Sequence, residues 1–132
     1  MDEMIIKLYS EYIKLGDKFY LLNDTWSKLS VEKNIPLSET LDQFFTRLAL
    51  MYNKGQINYE FGDICVNEAY GEWIFQDRSL KELVEFPPKF WQVYLAFDDG
   101  EWHRKEDGSD DPVAKYTDPQ IRDFLREYNI VN

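Results

Sequence analysis

The residues with the most reactive potential lie in one stretch, "FDDGEWHRKEDGSDDP", from Phe97 to Pro112. Its sixteen positions hold seven acids, the chain's only histidine and a tryptophan. Residues of these types can coordinate a cation, move a proton or present a negative surface to a basic partner. A helix–loop–helix calcium loop needs alternating oxygen ligands, a glycine at the sixth position and a glutamate at the twelfth. Neither "DDGEWHRKEDGS" nor "EDGSDDPVAKYT" has that order. A zinc site needs soft ligands, but His103 has no second histidine and Cys65 is the single cysteine. Arg104 and Lys105 beside His103 would also repel a cation. No metal and no cofactor are expected.

Catalysis needs a tuned acid–base pair in a water-poor cleft. Here the acids sit among Gly and Ser in turn-forming sequence, where water keeps carboxylates ordinary. Cys65, His103 and an aspartate can be drawn as a thiol triad, yet "DICV" around Cys65 matches no nucleophile motif. The chain has no phosphate-binding glycine loop, no dinucleotide fingerprint and no HExxH. These absences favour a binding protein over an enzyme. The candidate partner-binding residues are Asp98, Asp99, Glu101, Trp102, His103, Asp107, Asp110 and Asp111. Aromatic anchors ringed by charge are typical of interfaces, and Tyr70 and Trp73 near Glu68 and Glu72 have the same character. One alternative is a small hydrolase or nuclease-like enzyme using His103 with a nearby carboxylate. Another is a structural or regulatory adaptor.

Charge points the same way. Formal net charge is −10, and Asp98–Asp111 alone carries −5. A field of this sign repels nucleic acid and steers basic proteins. The 132 residues suit one domain, and 17% aromatics are enough to build a core. One thiol forms no intrachain disulfide, and "MDEMIIKLYSEY" lacks the basic-then-apolar order of an export signal. No apolar run reaches the ~20 residues of a membrane span. A cytoplasmic monomer or homodimer is expected.

The elements that must position the stretch follow from periodicity. Residues 4–20 place Ile5, Leu8, Tyr9, Tyr12, Ile13, Phe19 and Tyr20 on one helical stripe; Gly16 on that stripe would admit a close neighbour. Asp24 is placed to cap a short helix through Trp26 and Leu29. Leu37, Leu41, Phe44, Phe45, Leu48, Met51 and Tyr52 make the strongest stripe, closed by Lys54-Gly55 and expected to face Tyr9, Tyr12 and Ile13. Beyond Gly55 the pattern changes. Ile57, Tyr59 and Phe61 alternate as in a strand, and Trp73–Phe75 suit a second. Ser79 and Glu82 match a capping box. "FWQVYLAF" is β-rich; Asp99-Gly100 is a type I′ turn signal and "EWHRK" a return strand. A helix started by Pro88 is the competing reading of that segment. Thr117 with Gln120, or Asp118 with Pro119, begins a closing helix. The predicted class is α+β: N-terminal helices packed on a small antiparallel sheet or hairpin, with a closing C-terminal helix.

The segment "FWQVYLAFDDGEWHRKEDGSDDPVAKYTDPQIRDFL", Phe90 to Leu125, resembles part of a family of small acidic bacterial proteins of immunity-protein type. The resemblance implies neutralisation of a secreted toxin domain, often a basic nuclease, by covering its active site with acids and aromatics. It rests on overall character and this one segment, so it assigns no residue a role.

Overall fold

The computed structural model describes residues 1–75, 86–102 and 111–131. Among them there are six α-helices and no strand: α1 Asp2–Leu15, α2 Thr25–Lys33, α3 Leu37–Asn53, α4 Tyr59–Ile74, α5 Pro88–Asp98 and α6 Asp118–Glu127. A 3₁₀ turn, Gly16–Lys18, follows α1, and a π-helical turn, Val113–Thr117, leads into α6. The expected sheet is therefore absent among the described residues, and the α+β reading is corrected to an all-helical fold.

The strongest stripe is the hub. α3 touches α1, α2, α4, α5 and α6. Phe44, Phe45, Leu41 and Leu48 are fully buried. Their neighbours differ from expectation. Phe45 stacks against Phe44, Trp26 of α2 and Phe90 of α5, with centroids 5.0, 5.5 and 4.9 Å away. Tyr9 and Tyr12 of α1 pack on Phe61 of α4 instead, and Ile13 is exposed. The chain leaves α3 through a Schellman closure: Gly55 has φ +75°, its N–H donates to Tyr52 and that of Gln56 to Met51. Asn34 and Asn129, also left-handed, close α2 and α6 in the same way. Gly16 has φ +55°, and a Cβ there would meet nothing within 4 Å. It serves the backbone conformation, not the close approach expected of it.

Each predicted strand fails for a physical reason. Ile57, Tyr59 and Phe61 straddle a helix start. Asn58 is the N-cap, its side chain accepting from the Phe61 N–H at 2.9 Å. From there Phe61, Cys65, Ala69 and Trp73 are buried at a spacing of four, so Trp73–Ile74 ends α4 and forms no strand. Small residues on that face let α5 approach; a Cβ on Gly62 would lie 2.5 Å from the Phe97 ring.

In α5, Phe90, Val93, Ala96 and Phe97 are buried at helical spacing despite their β-forming composition. Pro88 stands in the first turn, where its missing N–H is harmless. Asp42 of α3 accepts from the Phe90 N–H at 2.9 Å and so caps α5 from outside. Asp99-Gly100 is not a type I′ turn, which needs positive φ at both residues. Asp99 has φ −65°, and the positive-φ glycines among the described residues are Gly16 and Gly55. Gly100 is buried, and a Cβ would collide with the Thr117 hydroxyl.

The Thr117–Gln120 capping box does not form either. The Thr117 hydroxyl donates to the Ala96 carbonyl at 2.7 Å and the Gln120 amide to Asp99 at 2.7 Å, while Asp118 accepts from Tyr52 at 2.6 Å. All three side chains tie α6 to its neighbours. Ser79, Glu82 and residues 103–105 of the predicted return strand lie outside the described residues. No described helix is long and apolar enough to cross a membrane.

Candidate functional site: an acidic corner beside an aromatic face

The C-terminal end of α5 carries Asp98 and Asp99, both half-buried, and the chain continues through exposed Glu101 and Trp102. Trp102 is 61% exposed, so it is not a core residue. Asp111 is exposed and accepts from the Ala114 N–H at 3.1 Å, starting the π-helical turn. His103, Asp107 and Asp110 lie outside the described residues.

The structure adds a residue that the acidic stretch does not contain. Asp63 of α4 is brought beside Glu101. The Asn67 amide nitrogen braces the pair, 3.2 Å from the Asp63 carboxyl and 3.0 Å from that of Glu101. A carboxyl beside a second carboxyl binds its proton more readily than one alone. Burial, then the neighbouring Glu101, pushes the Asp63 carboxyl up to about 8. Burial and the charge of Glu101 also raise Asp98. The described ion pairs, Lys28–Asp24, Arg47–Asp2 and Arg126–Asp123, involve none of Asp63, Asp98 and Glu101. Asp99 faces the other way, held by Gln120 of α6.

Tyrosines border the corner. Tyr59 donates to the Phe97 carbonyl at 2.6 Å. Burial, then the charge of Asp98, raises the Tyr94 hydroxyl, placing that ring within the field of the acids. Tyr94 also belongs to a stack of half-buried rings. Its centroid is 5.0 Å from Trp91 at 9° and 5.0 Å from Tyr70 at 20°. Phe86 stacks on Trp91 at 4.4 Å. Of the second aromatic–acid pairing expected near residue 70, Tyr70 joins this face, but Trp73 is core. Glu72 is 4% exposed and caps α2. It accepts from the Trp26 and Ser27 N–H groups at 3.1 and 2.6 Å and from the Ser27 hydroxyl at 2.9 Å.

The drawn thiol triad has no basis at its nucleophile. Cys65 is fully buried in the core, and desolvation pushes its thiol well up. Among the described residues no group of three or more His, Cys, Asp and Glu is arranged to hold a metal ion. A surface cavity of about 820 Å³, lined by residues including Asp2, Asp42, Arg47 and Lys89, takes in none of the acidic corner. Within it Arg47 grips Asp2 through two bonds of 2.8 and 2.9 Å. No protein-family model, curated protein or solved structure matches the chain.

Sequence reasoning missed Asp63, Asn67 and the ring face. Asp63 lies 35 positions before Asp98, in a segment with an acidic excess of its own (Glu60, Asp63, Glu68 and Glu72, with no base from 56 to 75), and so does not read as part of the stretch. The only signal for it was a helical reading of α4, which puts Asp63, Asn67 and Tyr70 at spacings of four and three along one side.

Proposed function

We propose that the protein is a non-catalytic binding module of immunity type. It docks a basic protein, a toxin domain or another cationic partner, on the corner formed by Asp63, Asp98, Glu101 and Trp102. The observation that carries this reading is the gathering of three carboxyls, without a described cation, beside an indole that is 61% exposed. Bringing like charges together raises the free energy of the free protein. A basic partner lowers it, and complementary charge also speeds encounter.

The test is binding kinetics with a basic partner recovered from the native cell, at two salt concentrations. Asp98→Asn with Glu101→Gln should slow association at low salt about tenfold and flatten its salt dependence. Trp102→Ala should raise the dissociation rate and leave the melting temperature close to wild type. An unchanged association rate in the double variant refutes the docking role of this corner.

A further inference from the structure

The reading above says that the partner is basic; the geometry around Tyr94 points to which cation it offers. Tyr70 comes from α4 and Trp91 and Tyr94 from α5, and their near-parallel rings are only half-buried. The stack runs up to the acids, because Asp98 follows Tyr94 by one turn of α5, and Asp63 and Asn67 lie on the side of α4 that carries Tyr70. Flat rings next to paired carboxyls suit a guanidinium better than an ammonium. Guanidinium is planar, weakly hydrated and stacks on aromatic faces. Its fork of N–H donors also matches carboxylate geometry. The carboxyl pair is already assembled, since Asn67 holds Asp63 and Glu101 to one amide nitrogen.

We propose that the Tyr70–Trp91–Tyr94 face receives an arginine side chain of the basic partner, and that its guanidinium bridges the Asp63 and Glu101 carboxyls. The proposal rests on the docking reading and adds both the chemistry of the anchor and a coupling to pH. The titratable groups facing the pair are Tyr59 on α4, Tyr94 and Asp98 on α5, and, beyond α5, Glu101 itself. Both tyrosine hydroxyls are raised and stay protonated at neutral pH, and that of Tyr59 is held by the Phe97 carbonyl. Asp99 is engaged by Gln120. Asp63, raised to about 8, carries the proton that exchanges in the neutral range. Binding that expels it strengthens as pH rises, by up to about tenfold per pH unit while Asp63 is protonated.

The probes are a hexa-arginine peptide and a hexa-lysine peptide, titrated calorimetrically at pH ~6 and ~8.5 and fixed ionic strength, in two buffers of different ionisation heat. Wild type should bind the arginine peptide several-fold tighter than the lysine peptide. Its affinity should gain at least about tenfold at the higher pH, with up to one proton released at the lower. Asp63→Asn should bind with no pH dependence, and Tyr94→Leu should lose the preference for arginine. His103→Gln should keep the pH dependence, since a histidine would otherwise give the same sign. Dependence that vanishes in His103→Gln but survives in Asp63→Asn overturns the proposal. So does equal, pH-independent binding of both peptides, or no binding of either. If Asp98→Asn with Glu101→Gln still slows association of the native partner, the docking reading survives such a failure. If that rate is unchanged as well, both fall. Should Tyr94→Leu fail to fold, Asp63→Asn and the two-peptide comparison still decide.

Discussion

Replacing Asp63 with asparagine should stabilise the protein, and only above acidic pH. In the folded state burial and the neighbouring Glu101 raise the Asp63 carboxyl from 3.8 to about 8. In the unfolded chain it returns to the ordinary value. Between the two values the folded state binds more protons, so stability falls as pH rises through that window and is flat outside it. Were the pair dry, the rise would be worth on the order of 5–6 kcal/mol at alkaline pH. Asp63 is only half-buried and Glu101 is exposed, so water screens most of it, leaving about 1–3 kcal/mol. For a chain of this length that is a gain of roughly 3–12 °C in melting temperature. An asparagine at 63 mimics the protonated carboxyl, keeping a donor for Glu101 without the charge. Melts of wild type and Asp63→Asn from pH ~4 to ~9 should coincide at the acid end and separate towards the alkaline end. Asp42, Glu72 and Asp98, also raised, slope in the same direction, while Asp2, lowered by Arg47, slopes oppositely. The difference curve cancels Asp42, Glu72 and Asp2, whose partners lie away from Asp63. Parallel curves, or a variant less stable than wild type at alkaline pH, would refute the raised Asp63 carboxyl.

Two further outcomes test the fold. Phe45→Ala removes a fully buried ring that touches Phe44, Trp26 and Phe90, and should lower stability in denaturant melts by about 3–5 kcal/mol; a loss under ~1 kcal/mol would mean the hub of the core is misplaced. Glu72→Gln turns one of two accepting oxygens towards the α2 N-terminus into a donor facing N–H groups, and should cost about 1–3 kcal/mol; a wild-type melting temperature would show that the carboxylate does not cap α2.

The helices that were legible in the sequence are those whose stripe is uninterrupted. α3 reads correctly because every stripe position from Leu37 to Met51 is a large apolar residue that the structure buries. α4 did not read, because its buried face is built from Gly62, Cys65 and Ala69 and includes Glu72. Small residues there give no periodic signal, and the glutamate looks like a break although it is the cap of another helix. In α5 the strand reading failed for a related reason, and the competing helix started by Pro88 is the one that forms. Its residues favour strands one by one, but Pro88 in the first turn and Asp42 capping from α3 make a helix start that local propensity does not contain. Glu72 caps α2 and Asp42 caps α5 from 46 and 48 positions away, which a local reading does not register. The capping box at Thr117 failed in the opposite sense. The residues were right for a local cap, but Ala96 and Asp99 claimed them.

The acidic corner was half legible for the same reason. A window of sequence counts charge, and it picked out Asp98, Asp99, Glu101 and Trp102, of which Glu101 and Trp102 are exposed and the two aspartates half-buried. It cannot weigh how charges combine, because the residue that changes their energetics arrives from α4. Glu101 on its own is an exposed carboxylate of little consequence to stability. Beside Asp63, with Asn67 bonded to both, it becomes a neighbour that helps to raise the Asp63 carboxyl. An asparagine at 63 would relieve the pair and strengthen the fold, so the aspartate is a local choice against stability. Conflicts of that kind are expected where a surface is shaped for a ligand. The two effects of Asp63→Asn should therefore oppose each other: higher melting temperature at alkaline pH, and loss of the pH-dependent part of binding to arginine. A variant that gains stability and keeps pH-dependent binding would separate the strain from the function and leave the aspartate at 63 without the role assigned to it.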